Sequence, residues 1–125
     1  MLYAFREEGG LTEDMALKIA CGLGAGMARK GEVCGAVTGG ILVLGLRHGR
    51  GEKDEKTAME LTYSKTRELM DLFAARRGTV ICRQLLNGCE LTTEEGQRQF
   101  KDSDLLHKVC NRCVLSVAEI LEEIK

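Results

Sequence analysis

Proline is absent from all 125 residues, tryptophan is absent too, and Phe and Tyr together make up only 4 % of the chain. Nothing therefore interrupts a helix by losing a backbone donor, and glycine is left as the main punctuation. With few aromatics, a base-stacking platform for single strands has no material to be built from. Neither sign of charge is in excess, with 18 Lys and Arg against 19 Asp and Glu. That balance supplies no basic footprint for nucleic acid and no polybasic patch for a membrane surface. The longest uncharged apolar run, residues 34–46, is too short for the roughly 20 residues that span a bilayer. Met1-Leu2-Tyr3-Ala4-Phe5-Arg6-Glu7 is too short and too quickly charged for a signal peptide. A soluble cytoplasmic protein without membrane insertion or nucleic-acid binding is expected. No nucleophile triad, phosphate loop or paired-carboxylate pattern stands out, so hydrolase and nucleotide-binding readings have little support.

What the chain does have is six cysteines, a surplus for a protein of a reducing compartment. There they point to redox chemistry or metal more than to a structural disulfide framework. The apolar positions fall mostly at helical spacing, which predicts an all-α fold. The expectation is one domain over residues 1–125, a compact bundle of about five to seven helices around a buried glycine-rich central helix.

That central helix is read from Cys34-Gly35-Ala36-Val37-Thr38-Gly39-Gly40-Ile41-Leu42-Val43-Leu44-Gly45-Leu46. Gly35 and Gly39, and Ala36 and Gly40, repeat every four residues, so each pair lies on one face where a neighbouring backbone can come close. A glycine inside a helix costs roughly 1 kcal/mol relative to alanine, a cost that close packing can offset. The small-residue face could meet a second copy in a homodimer, or another part of the same chain. Cys34 is placed at or just inside the helix N-terminus, where unpaired N–H groups and the helix dipole stabilise a thiolate. The competing reading is a small buried hydrophobe.

Thr12 is expected to cap a helix whose apolar side is Met15, Leu17, Ile19, Ala20 and Leu23. A glycine-rich stretch, Gly22 to Gly26, then loosens the chain before a turn at Arg29-Lys30-Gly31. His48, after the central helix, reads as a dipole-compatible surface residue ahead of a general acid or ligand. Residues 52–77 are the clearest amphipathic helix, closed by Arg76-Arg77-Gly78. Cys82 should begin a short helix ended by Asn87-Gly88, in the same electrostatic setting as Cys34, with Cys89 on the loop beyond. Thr92-Thr93-Glu94-Glu95 matches a capping box. A last helix from about Ser103 to about Glu123 carries Leu105, Leu106, Val109, Cys110, Cys113, Val117, Ile120, Leu121 and Ile124 as its apolar stripe. Cys110-Asn111-Arg112-Cys113 is a C-x-x-C, suited to a dithiol couple or half a metal site. Its place on the core-facing side of a helix, not after a strand, argues against a thioredoxin-like motif. Zinc would need two close pairs, and Cys82 and Cys89 are too far apart in sequence to form an ordinary second one.

Cys34-Gly35-Ala36-Val37-Thr38-Gly39 fits the CGAxxG signature and resembles the C_GCAxxG_C_C family of bacterial and archaeal proteins, proposed to be redox-active. Gly22-Leu23-Gly24-Ala25-Gly26-Met27 is similar to the glycine-rich stretch ahead of that signature, and Leu44-Gly45-Leu46 to the continuation of its helix. Cys82-Arg83-Gln84-Leu85, and Cys110 followed by Val114, Ala118, Glu119, Ile120 and Leu121, resemble the later cysteine segments. The resemblance marks Cys34, Cys82 and Cys110. The first reading is a cysteine-based redox protein with Cys34 as the acidic thiol, Cys82 or Cys110 as its partner and Cys113 as a resolving thiol, acting with a redox partner protein in the manner of a thiol–disulfide oxidoreductase. Its alternative is a metal or iron–sulfur site on Cys34, Cys82 and Cys110 for delivery or electron transfer. A structural or interaction module with inert buried cysteines is the third reading. The family's early cysteine and the N-terminal part of its first helix have no counterpart in residues 1–125: either the start is truncated or misannotated, or Cys21, Cys89 or Cys113 stands in.

Overall fold

The computed structural model describes residues 1–125. Six right-handed helices follow in order: α1 (Glu13–Ala20), α2 (Gly35–His48), α3 (Lys56–Arg77), α4 (Cys82–Leu85), α5 (Glu94–Asp102) and α6 (Asn111–Glu123). A single helical turn of the tight 3-10 kind, Arg6–Gly9, precedes α1. There are no strands beyond one isolated antiparallel bridge between Val33 and Ile81. The fold is all-α, and no helix is long and apolar enough to cross a membrane.

Helix α2 is apolar nearly all round, and it forms the centre because such a helix can only be buried. It packs on α3 and α6, which also pack on each other. Val37, Val43 and Leu44 of α2 meet Leu69 and Phe73 of α3 and Val117, Ile120 and Leu121 of α6, all 0 % exposed. The glycines of α2 permit this closeness. A Cβ built on Gly40 would stand 2.7 Å from Val117 Cγ1 and 3.1 Å from Leu69 Cδ2, and one on Gly39 would stand 2.8 Å from Met1 Cβ. Gly35 faces Leu23 O in the same way, at 3.1 Å. The small-residue faces of α2 are thus taken up within the chain.

Local chemistry sets most boundaries. The Met15 amide donates to Thr12 Oγ1 at 3.2 Å, capping α1. Gly78, in the left-handed region, ends α3. Asn87 and Gly88, both at positive φ, stop the chain after α4. Arg47 at the end of α2 ties three elements together: it pairs with both oxygens of Glu8 (2.7 and 3.1 Å) and donates to Leu121 O (2.7 Å).

Some expectations fail. Met15, Leu17 and Ile19 are 48–59 % exposed, and Ala16 is the residue of α1 that is buried. Helix α1 lies on the bundle by its small side, so its larger apolar residues face outward. No capping box forms: Thr93, not Thr92, caps α5 by accepting from the Gly96 amide at 2.9 Å, and Gly96 has no side chain to reach back. Ser103 does not cap the last helix. It is followed by Asp104 at positive φ and by a wide π turn, Leu106–Cys110, before α6 begins. That turn rotates Leu106 out of the core, leaving it 49 % exposed. His48 lies in the last turn of α2, half-buried, with Nε2 buried and lacking a partner.

Candidate functional site

Two cysteines are brought side by side by backbone pairing. The Cys34 amide donates to Val80 O at 2.8 Å, and the Cys82 amide donates to Glu32 O at 2.6 Å. These bonds flank the Val33–Ile81 bridge. Each chain then turns directly into a helix, so Cys34 becomes the N-cap of α2 and Cys82 the first residue of α4.

The wall opposite is a left-handed helical turn. Ala25, Gly26, Met27, Ala28 and Arg29 all have φ between 55° and 69°. For a non-glycine residue this conformation costs ~1–2 kcal/mol, so the four non-glycine residues of this turn hold several kcal/mol of strain. Within this turn a side chain is excluded at Gly26: a Cβ there would stand 2.7 Å from Cys82 Cβ and 2.8 Å from the Glu32 nitrogen. The Glu32 amide in return donates to Gly26 O at 2.9 Å. Local strain of this kind is commonly found at functional sites.

Between these walls lies an apolar cavity of about 300 Å³. Cys34, Cys82 and Cys110 all line it, with Ala25, Leu86 and Phe100 among its other walls. Cys113 does not. It is 1 % exposed and lines a different, polar pocket with Arg77, Lys108 and Arg112. The two cysteines of the C-x-x-C therefore serve two spaces, where one shared helix face had been expected.

The thiols are electrostatically unequal. The neighbouring Cys113 thiol is the largest influence lowering the Cys34 pKa, to about 6. Burial opposes the shift, while the Ala36 and Val37 amides assist it without forming a closed cap bond. The Cys34 sulfur, with burial, in turn holds Cys113 protonated well above the ordinary thiol range. Cys82 is pushed up to about 11, chiefly by burial and then by the charge of Cys34. Burial raises Cys110 as well. The expectation that Cys82 would share the electrostatics of Cys34 fails because α4 spans only Cys82–Leu85. So short a helix has little dipole, and desolvation prevails.

Of the candidates to stand in for an early cysteine, Cys113 alone influences the acidity of Cys34. Cys21 is exposed, and the buried Cys89 donates its S–H to Gly96 O at 3.1 Å. All six cysteines are free thiols in this structure. A metal ion or cluster would need several converging thiolates. No group of three or more Cys, His, Asp or Glu side chains is placed to hold a metal. The donor set in this arrangement does not fit such a group.

Sequence reasoning missed the left-handed turn, the π turn and the basic wall beside Cys113. The i, i+4 spacing of Lys108 and Arg112 was the one available signal for that wall. Nothing local announces that Arg77, from another helix, completes it.

The fold and site define a small all-α thiol protein, in which one acidic cysteine at a helix N-terminus contacts a second, neutral one. The chain belongs to the family described as "Putative redox-active protein (C_GCAxxG_C_C)", whose model matches residues 1–124. Neither a curated protein nor a solved structure matches it significantly.

Proposed function

We propose that this chain is a thiol–disulfide redox protein in which Cys34 is the attacking thiolate and Cys113 completes the disulfide. The observation that carries this reading is the electrostatic coupling of Cys113 to Cys34, which stands at the N-cap of α2. It lowers the Cys34 pKa to about 6 and holds Cys113 protonated.

In the proposed reaction a disulfide R–S–S–R′ enters the apolar cavity. Cys34 attacks one sulfur, the R–S–S–R′ bond breaks, and R′S⁻ leaves. Cys113 gives its proton to the departing thiolate and attacks Cys34 Sγ, expelling RS⁻. Two protein thiols are oxidised to one disulfide, and one substrate disulfide is reduced to two thiols. The apolar lining favours an apolar disulfide, either a small molecule or an exposed side-chain pair on a partner protein. Cys82 and Cys110, held neutral, line the cavity without exchanging electrons.

The test is a thiol count by alkylation and intact mass across a series of dithiol/disulfide potentials. Two thiols should be lost together at one midpoint, and peptide mapping should name Cys34 and Cys113. The couple should vanish in Cys34→Ser and in Cys113→Ser and survive in Cys82→Ser and Cys110→Ser. A couple that persists in Cys113→Ser, or maps to Cys34 with Cys82, sinks this assignment.

A further inference from the structure

The polar pocket beside Cys113 has no part in the reaction above. It encloses about 240 Å³ and is lined by Arg77, Lys108, Arg112, Gln84 and Asn87, with Cys113 in its wall. No carboxylate lines it, and none of its three cations makes an ion pair with a carboxylate of the chain. Arg77 is fixed in place by donating from Nε to the buried Ser116 Oγ at 2.9 Å. Gln84 Oε1 accepts from the Thr79 hydroxyl, which leaves the amide N–H groups of Gln84 available as donors. Lys108 belongs to the π turn Leu106–Cys110, a distortion that occurs frequently at functional sites. Three unpaired cations around a small concavity attract an anion and raise its local concentration.

Cys34 lines the apolar cavity and not this pocket, while Cys113 lines this pocket and not the cavity. A disulfide between them would thus present one sulfur to each space. We propose that the basic pocket is the entry site for the reductant, a small thiol bearing a carboxylate, which attacks Cys113 and leaves the apolar cavity to the oxidised substrate. This rests on the Cys34–Cys113 couple proposed above.

The chemistry balances. The carboxylate of RS⁻ is held by Arg77, Lys108 and Arg112 while its sulfur attacks Cys113 Sγ. The Cys34–Cys113 bond breaks, and Cys34 departs as thiolate. A second RS⁻ attacks the R sulfur of the mixed disulfide, R–S–S–R leaves, and Cys113 takes up a proton. Two electrons pass from two small thiols to the protein. Exchange is fastest when the more acidic thiol is the leaving group, and Cys34 is the more acidic of the two. Attack from the Cys113 side is therefore the productive direction, and that is the side with the basic wall.

The experiment reduces the oxidised full-length protein with 3-mercaptopropionate, 2-mercaptoethanol or cysteamine, which are anionic, neutral and cationic. Each rate is divided by its thiolate concentration. The anionic thiol should exceed the neutral one by about tenfold, the lower end of what a charged cleft contributes. The cationic thiol should be slowest, and added salt should shrink the spread. The double variant Lys108→Gln, Arg112→Gln should bring the three rates together. In parallel, the unreactive 3-(methylthio)propionate should shift the side-chain amide resonances of Gln84 and Asn87 in the reduced protein and fail to do so in the double variant. Equal normalised rates in the wild-type protein, or a preference unchanged in the double variant, overturn the proposal and leave the couple standing. Absence of any Cys34–Cys113 disulfide overturns both, and that result is visible before the thiols are compared.

Discussion

Replacing Cys113 by alanine removes the donor that contributes most to the acidity of Cys34. A hydrogen bond to a charged group contributes ~1.5–3 kcal/mol, and one pH unit corresponds to about 1.4 kcal/mol. The Cys34 midpoint should therefore rise from about 6 by roughly 1–2 units. Cys113→Ser keeps an O–H donor and should lie between the two. The Ala36 and Val37 amides remain in both variants, so the alanine variant should not reach the value of a fully desolvated thiol. The measurement is the pH dependence of thiolate ultraviolet absorbance in Cys82→Ser and Cys110→Ser backgrounds, checked by the pH dependence of iodoacetamide labelling at Cys34. The labelling rate at pH 7 is a poor readout. A rise of 1–2 units lowers the ionised fraction by about 2- to 10-fold, but each thiolate becomes about 3- to 8-fold more nucleophilic along a Brønsted slope near 0.4–0.5. The two nearly cancel, so the midpoint must be read. A midpoint that stays put or falls in Cys113→Ala would refute the claim that Cys113 sets the acidity of Cys34.

The same shifts make stability depend on pH. The folded-state pKa of Cys34 is depressed from about 9 to about 6, so its contribution is full above about 9 and lost as pH falls through about 6. Cys82 is shifted the opposite way, to about 11, and its contribution fades as pH rises from about 9 to about 11. Urea midpoints of the reduced protein should rise from pH 6 towards 9 and decline beyond, and Cys34→Ser should flatten the lower limb. Gly40→Ala should destabilise by ~1–3 kcal/mol through its clash with Val117 and Leu69. Gly45→Ala, with open space at its Cβ, should stabilise by up to about 1 kcal/mol; equal effects in denaturant melts would contradict the packing described. Ala28→Gly, at φ 55° on the surface, should raise Tm by ~2–5 °C as about 1 kcal/mol of left-handed strain is released. A lower Tm would mean that this segment is not left-handed in solution.

The sequence yielded those parts that local chemistry dictates. Thr12, the Asn87-Gly88 stop and Cys34 at the head of an apolar glycine-studded helix were readable because caps, positive-φ residues and small-residue spacing act over a few residues. Burial on α1 was misjudged because periodicity identifies an apolar face without saying whether anything covers it, and Ala16 turned out to be the side that docks. The C-x-x-C was misjudged for a different reason. Residues i and i+3 stand about 60° apart around a helix, and Cys110 and Asn111 keep helical backbone angles, so the two cysteines share a side of the helix without sharing a space. Which sulfur meets Cys34 depends on how α2 and α6 cross at Gly40 and Val117, a tertiary fact with no local signature. The fourfold small-residue spacing showed that α2 would be closely approached, but not by what.

The left-handed turn is the costliest local feature of the chain, and its position gives a reason for it. Reversing direction between Leu23 and Glu32 could be done by a glycine turn without placing Ala25, Met27, Ala28 and Arg29 at positive φ. What the turn achieves is proximity. It lays Gly26 against Cys82 and brings Ala25 to the cavity wall beside Cys34, with Gly26 O held by the Glu32 amide. Glu32 is also the residue whose carbonyl accepts from Cys82. One short strap thus fixes the register of both cysteine segments and closes the space over them. A cavity with a desolvated thiolate on its wall is unfavourable by itself, and the strained strap adds to that cost. The glycine-mediated packing of α2 on α3 and α6 and the Arg47 link among Glu8, α2 and Leu121 lie away from the cavity and offset it. Stability is concentrated at one side of α2 so that its N-terminal end can hold an acidic sulfur in a dry, preformed space.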